Sequence, residues 1–281
     1  MRQVKFETLG KVKQSSFVIL TRYEALVAEC YLEARTLLIS LSSGYSINVK
    51  NLDFIPKVKY CIWISETELL LEVFPFIVND AEKNIIIIKE GTATFFYWGE
   101  GIADIQVIEK EYWVAFNEEG VDHFDADSEK NLYSAHILVR LTNYVDIDFP
   151  VCLDMLYQKE VFDCSTIAYD DKKKSVWLFY YSDTGKKCCL NINLNGKILR
   201  YIKCGYSSYS AVVNDGVIWC IGANQRLIRH NTISGEIEYF EIITEFGELS
   251  MIDLYYADQG KLYIQSEGIY FWIGTDKLNK L

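Results

Sequence analysis

The densest group of chemically active side chains is a run of six carboxylates between Glu118 and Glu129. The run contains one histidine, His123, and no lysine or arginine. Its spacing fits a calcium loop poorly, because the glycine and the closing glutamate of such a loop are missing at the required positions. We interpret it as a solvated loop or as a docking patch for a basic protein. The residues assigned to this patch are Glu118, Glu119, Asp122, His123, Asp125, Asp127, Glu129, Asp146 and Asp148.

Two further polar side chains that could have a function, Asp104 and Gln106, lie in the stretch from Tyr97 to Gly120. This stretch predicts a loop at the first glycines, a strand over 102–108, a tight turn at 109–110 and a second strand ending at residue 116. Asp104 is expected to accept hydrogen bonds from neighbouring N–H groups. The functional alternative makes Asp104 and Gln106 channel-mouth residues, with Asp104 and Glu118 binding a cation or a substrate.

No other pattern predicts catalysis. The three histidines, His123, His136 and His230, are too few and too separated for a zinc site, although His123 beside carboxylates has the chemistry of a general base. No nucleophile motif such as G-x-S-x-G is present, and Gly99-Glu100-Gly101 is too short to cradle a phosphate. We therefore predict no catalytic residue, no metal and no cofactor.

The net charge of −11 is concentrated in one part of the chain. Residues 97–170 hold sixteen Asp or Glu and four Lys or Arg, whereas the other residues hold 23 acids and 24 bases. This asymmetry argues against binding of nucleic acid by that segment and favours a basic protein partner. The alternative is an acidic face that only keeps the protein soluble.

A repeat of about 43 residues predicts the fold. Short apolar strands centred on six positions follow similar turns, and four of the five steps between them lie between 42 and 44 residues. That period is typical of one four-stranded blade of a β-propeller. The fifth step is 64 residues, which indicates an insertion of roughly twenty residues within 120–160. The six centres are Leu26, Leu70, Trp113, Trp177, Trp219 and Leu262.

We therefore predict an all-β protein, a single six-bladed β-propeller, with seven blades as the alternative if the insertion conceals strands. The last repeat lacks one strand, which Val4 to Leu9 would supply, so that the N-terminal strand closes the ring. No linker is evident, and residues 1–281 are expected to form one domain. The one segment with helical character is 151–160, after Pro150.

The N-terminus has no signal-peptide pattern, and no apolar run is long enough to span a bilayer. The eight cysteines contain no C-x-x-C spacing. These features favour a cytoplasmic protein whose cysteines are reduced thiols, without membrane partners.

Two segments resemble a known group of proteins. The segments are Tyr97 to Val107 followed by Trp113 to Gly120, and Asp163 to Tyr181. They are similar to uncharacterised bacterial β-propeller proteins with a G-[DE]-G-I-x-D-I-Q…W-V motif. Glu100 stands where that group usually has aspartate. The resemblance implies a propeller fold and implies no reaction.

Two functions remain open from the sequence. The first is a non-enzymatic protein-binding module, in its most concrete form an immunity protein that neutralises a basic nuclease toxin with an acidic face. The second is a metal-dependent six-bladed hydrolase, of the lactonase type, or a lyase, with carboxylates such as Asp104 and Glu118 around the channel.

Overall fold

A computed structural model describes residues 2–11, 16–20, 25–33, 36–41, 46–65, 67–118, 137–148, 161–249, 251–258 and 260–281. The chain groups into two compact units. One contains Met1–Thr8, Gly99–Glu267 and Phe271–Leu281, and the other contains Leu9–Trp98 and Gly268–Tyr270. Within the described ranges nearly all regular structure is β-strand, and no helix there is long and apolar enough to cross a membrane.

The chain starts with two short strands, β1 (Arg2–Lys5) and β2 (Glu7–Lys11). The next eight strands form a single sheet with the order β10-β9-β8-β7-β3-β4-β5-β6. It consists of two antiparallel four-stranded meanders that are joined where β3 and β7 run parallel, at the pair Leu20 and Ile62. The strands are β3 (Ser16–Leu20), β4 (Ala25–Glu33), β5 (Thr36–Leu41), β6 (Ser46–Val49), β7 (Val58–Ser65), β8 (Glu68–Val78), β9 (Ala81–Lys89) and β10 (Thr92–Phe96).

This sheet has a core that the sequence pattern explains. Four successive isoleucines, Ile85 to Ile88, are all buried, as expected for a strand that is covered on both faces. Ile86 and Ile88 pack in one hydrophobic cluster with Leu69, Leu71 and Val73 of β8.

The chain forms four more sheets. The first two are antiparallel meanders, β11-β12-β13-β14 and β15-β16-β17-β18. Their strands are β11 (Ile102–Ile108), β12 (Glu111–Phe116), β13 (Leu138–Thr142), β14 (Asp146–Asp148), β15 (Val161–Asp170), β16 (Ser175–Ser182), β17 (Lys187–Asn193) and β18 (Ile198–Lys203).

The third sheet is the meander β19 to β22, extended by β1, which runs parallel to β22, and by the short β23. The fourth has the order β2-β26-β25-β24 and is followed by the short helix α1 (Thr275–Leu278). These strands are β19 (Ser210–Asn214), β20 (Val217–Ile221), β21 (Leu227–Asn231), β22 (Ile237–Thr244), β23 (Gly247–Glu248), β24 (Leu254–Asp258), β25 (Lys261–Ser266) and β26 (Ile269–Gly274).

The strand positions expected from the repeat are confirmed. Each of the six predicted centres lies in the second strand of a meander: β4, β8, β12, β16, β20 and β25. Three of the centres are tryptophans with buried side chains, Trp113, Trp177 and Trp219. The hairpin predicted at 102–116 is also confirmed, since β11 and β12 pair antiparallel across the turn at Glu109 and Lys110.

The backbone of that turn explains how two strands can be joined by two residues. Glu109 has φ 51° and Lys110 has φ 74°, the left-handed conformation that two-residue hairpins require at both positions. Asp215 and Gly216 use the same conformation between β19 and β20, with φ 54° and 76°. Aspartate and glycine signal this turn in the sequence, whereas Glu109 and Lys110 do not.

The N-terminal strand differs from the prediction of one strand over Val4–Leu9. The segment is divided at Phe6, a buried residue whose N–H donates to the carbonyl of Ile243 at 2.8 Å. Val4 pairs with Ile242 of β22, and Glu7 begins the strand that lies beside β26. The fully buried ring of Phe6 separates the two strands.

The predicted insertion falls mostly on residues that the structure does not describe. β12 ends at Phe116, and its antiparallel neighbour β13 begins at Leu138. The predicted helix at 151–160 lies outside the described residues.

Candidate functional site

The residues of the predicted acidic patch are described only in part. Glu118 and Asp146 are exposed, and Asp148 lies in β14. The remaining six members of the patch, from residues 119 to 129, lie outside the described residues.

Two of the three described patch residues, Glu118 and Asp146, lie at opposite ends of one sheet. Glu118 follows the end of β12, where the N–H of Asn117 donates to the carbonyl of Gly101 at 2.8 Å. Asp146 instead pairs with Thr142, at the end where β12 begins. Glu100 is exposed and lies at the Glu118 end, because it directly precedes Gly101.

The charge balance differs between these two ends. At the end of the 109–110 turn, Lys174 contacts Glu109 at 3.7 Å and Asp171 at 2.7 Å, and Lys173 contacts Asp215 at 2.8 Å. These pairs link the turns of three successive sheets and neutralise their carboxylates. At the opposite end, neither Glu100 nor Glu118 forms an ion pair within the part of the chain that the structure describes.

Asp104 ties β11 to β15. Its Oδ2 accepts hydrogen bonds from the Thr166 hydroxyl at 2.6 Å and the Ile167 N–H at 2.9 Å, and its Oδ1 accepts from the N–H of Ile105 at 2.8 Å. Burial raises the pKa of Asp104 to about 7, although these hydrogen bonds act in the opposite direction. Both carboxyl oxygens of Asp104 thus accept hydrogen bonds from the protein, as the sequence analysis predicted for this residue.

Gln106 makes a second tie between strands. Its side chain is buried, and its Nε2 donates to the carbonyl of Ala257 in β24 at 3.0 Å. Gln106 and Asp104 therefore hold β11 against two different sheets of the same unit. The channel-mouth role remains a prediction for both residues.

Asp170 is an inter-sheet tie that the sequence analysis missed. Its fully buried carboxylate accepts hydrogen bonds from the backbone N–H groups of Asp215 at 3.1 Å, Gly216 at 2.8 Å and Lys173 at 3.3 Å. The turn between β19 and β20 is therefore fixed by the last residue of β15. In the sequence, Asp170 only begins an Asp-Asp-Lys-Lys-Lys turn, which is typical of an exposed loop.

Two thiols and a tyrosine–histidine pair lie close to β17, β18 and β21. The sulfur atoms of Cys189 and Cys204 lie 3.5 Å apart. The Tyr206 hydroxyl lies 2.8 Å from Nδ1 of His230. Burial, and secondarily the charge of Arg200, lowers the pKa of His230. The hydroxyl and the neutral imidazole are within hydrogen-bonding distance, and the tautomer of the ring decides which of them donates.

A cavity of about 130 Å³ lies beside this group. Lys187 and Arg226 bring positive charge to its wall, and Gly205 and Tyr206 continue the chain from Cys204. Cys204 is partly accessible, whereas the other described cysteines are buried. The sequence analysis did not identify the proximity of Cys189 and Cys204.

We searched the described residues for side chains grouped closely enough to bind a metal ion. Among the described residues no group of three His, Cys, Asp or Glu side chains could hold a metal ion. His123 and His136 lie outside these residues.

Comparisons with known proteins support the fold alone. No protein-family model and no curated protein matches the chain. The WD40 β-propeller domain of Doa1 is similar over 91% of this chain and 77% of its own, with 11% identity and a TM-score of 0.50. YCF48 bound to D1 peptide is similar over 92% and 77%, with 9% identity and a TM-score of 0.51.

Hydrazine synthase from Kuenenia stuttgartiensis is similar over 99% of this chain and 80% of that chain, with 10% identity and a TM-score of 0.53. These solved structures, together with the small antiparallel sheets, show that the chain has a β-propeller type of fold.

Proposed function

We propose that the protein is a non-enzymatic binding module that docks a basic protein partner on its acidic face. In its most specific form it is an immunity protein that covers the active site of a cationic nuclease toxin. The fold we propose for it is the six-bladed ring of the repeat, closed by the N-terminal strands, in the uncharacterised bacterial propeller group that 97–120 resembles.

The observation that carries this proposal is the difference in charge balance between the two ends of the sheet β11–β14. Near the 109–110 turn, Lys173 and Lys174 pair with Glu109, Asp171 and Asp215, and Asp146 is the exception without a described ion pair. At the other end, Glu100 and Glu118 both have no described ion pair. The acidic run continues directly from Glu118. Uncompensated carboxylates on one surface attract a cationic partner and increase its rate of association.

The inner carboxylates favour binding over catalysis. The carboxyl oxygens of Asp104 and Asp170 accept hydrogen bonds from backbone N–H groups, and Asp104 also accepts one from the Thr166 hydroxyl. A carboxylate that is held in this way stabilises strand packing, and it offers fewer lone pairs to a metal or a substrate.

Charge reversal tests the docking surface. The variant Glu100→Lys/Glu118→Lys should lose a basic partner that co-purifies with the wild-type chain from native cells. Asp53→Lys/Glu236→Lys is the matched control, because both residues are exposed, lie outside 97–170 and change the net charge equally. Binding by the wild type should weaken steeply between about 0.05 M and about 0.5 M salt.

The docking proposal fails if the control weakens binding as much as the test variant, or if the affinity does not respond to salt. The enzyme alternative has its own test in calcium binding. A bound ion raises the melting temperature by mass action, so a calcium-dependent shift that Asp104→Asn abolishes would support a metal-dependent hydrolase or lyase.

A further inference from the structure

The hairpin formed by β17 and β18 places two thiols on one of its faces. Cys189 lies opposite Ile202, and the N–H of Cys204 donates to the carbonyl of Lys187 at 2.8 Å. Cys189 and Cys204 are therefore diagonal neighbours across the two strands, and their sulfur atoms lie 3.5 Å apart. Cys188 packs in a different hydrophobic cluster, on the other face of β17.

The two thiols differ in accessibility and in acidity. Cys204 is partly exposed, and Cys189 is buried. The pKa of Cys204 is lowered, chiefly by its hydrogen-bonding contact with the Cys189 thiol, while burial acts in the opposite direction. The same contact and burial raise the pKa of Cys189. One sulfur is thus suited to attack an oxidant, and the other remains a protonated thiol beside it.

The surroundings of Cys204 leave space for a small reagent. The neighbouring cavity of about 130 Å³ is lined by Lys187, Gly205 and Arg226. A volume of this size admits a molecule such as hydrogen peroxide, and Lys187 and Arg226 bring positive charge to the cavity wall.

We propose that Cys204 and Cys189 form a reversible redox site, in which a peroxide oxidises Cys204 and Cys189 resolves the product. The Cys204 thiolate attacks the peroxide, the O–O bond breaks, and Cys204 becomes a sulfenic acid while water is released after protonation. The Cys189 thiol then attacks that sulfur, which forms the S–S bond and releases a second water. Two equivalents of a low-molecular-weight thiol restore both cysteines and leave as its disulfide.

The strand register affects how stable this disulfide is. Diagonal residues have Cα atoms about 7–8 Å apart, which exceeds the usual span of a disulfide, about 4.4–6.8 Å. The bond therefore requires the backbone at Cys204, just past the end of β18 at Lys203, to move toward β17. A disulfide formed under such a constraint is easily reduced, as a reversible site requires.

The proposal can be tested on the full-length folded protein with hydrogen peroxide as the probe. After brief oxidation and blocking of the remaining thiols, peptide mapping should find Cys189 joined to Cys204, with the loss of two hydrogen atoms. A low-molecular-weight thiol should reverse it. Cys204 should be modified at least about tenfold faster than the buried cysteines, because access and thiolate character control the rate.

Three variants separate the roles. Cys204→Ser should abolish the disulfide, and Cys189→Ser should leave a sulfenic acid on Cys204 that dimedone traps. Cys188→Ser, the neighbouring control on the other face of β17, should form the disulfide at the wild-type rate. The proposal is overturned if wild-type Cys204 bonds to another cysteine, if a buried thiol reacts first, or if no disulfide forms before the protein unfolds.

Discussion

The tie between β11 and β15 predicts how removal of one carboxylate changes stability with pH. The substitution is Asp104→Ala, which deprives the Thr166 hydroxyl and the Ile167 N–H of their acceptor. Thr166 and Ile167 are both buried, so neither group regains a full hydrogen bond from water. Two orphaned buried donors cost about 2 kcal/mol at the lower end of the usual range.

Protonation adds a second component, whose sign follows from linkage. Burial raises the folded-state pKa of Asp104 from 3.8 to about 7, so between these values the folded protein binds a proton that the unfolded chain releases. The stability from this group is fully present below pH 3.8 and is lost as the pH rises through about 7. Between pH 8 and pH 5 the difference is at most about 2.7 kcal/mol, and we expect about 2 kcal/mol because Asp104 is only partly excluded from water.

We therefore expect Asp104→Ala to lower the free energy of unfolding by about 4 kcal/mol at pH 5 and about 2 kcal/mol at pH 8. Urea unfolding followed by tryptophan fluorescence measures both values, provided that the m-value is unchanged. The control is Asp171→Ala, whose carboxylate forms an exposed pair with Lys174 and should cost less than about 0.5 kcal/mol.

Two outcomes would refute parts of this reasoning. A cost below about 1 kcal/mol at both pH values would show that the carboxylate does not hold the two strands together. A cost that grows as the pH rises would show that the folded-state pKa of Asp104 is not raised, and the tie itself would still stand.

The remaining predictions concern other buried polar groups of the same unit. Asp170→Ala removes the acceptor of the Asp215 and Gly216 N–H groups and should cost about 3 kcal/mol in urea unfolding, since the lost bonds are buried and involve a carboxylate. Because burial lowers the pKa of His230, the folded protein should lose stability as the pH falls below about 6.5, and His230→Gln should flatten that part of the melting-temperature profile. Tyr206→Phe should raise the pKa of His230 little in an NMR titration, because burial is the main cause.

The parts of the fold that the sequence predicted are those set by neighbours in the chain. The strands around Trp113 follow from the apolar residues on either side of the 109–110 turn. Turn chemistry accounts for the hairpin of β17 and β18, which turns at Asn195-Gly196 with Gly196 at φ 81°. A repeat of about 43 residues then places equivalent strands without any knowledge of packing.

The parts that the sequence did not predict depend on distant residues. Asp170 is buried because it meets a turn 45 residues later, yet its neighbours in sequence are charged and exposed. Phe6, which lies between β1 and β2, is buried and donates its N–H to the distant Ile243. The proximity of Cys189 and Cys204 could have been predicted from the sequence, because counting outward from the Asn195-Gly196 turn places both residues on one face of the hairpin.

The use of carboxylates inside this unit limits where a partner can bind. Asp104 and Asp170 each accept hydrogen bonds from a neighbouring sheet, so their carboxyl oxygens stabilise the packing of β11, β15 and the 215–216 turn. A carboxyl group held in this way is not available for recognition, since a ligand would have to displace the backbone donors that it accepts from. Recognition by charge is then left to side chains such as Glu118, whose carboxylate makes no described ion pair. Mutating an inner aspartate should therefore lower stability before it lowers affinity, and mutating Glu118 should do the reverse.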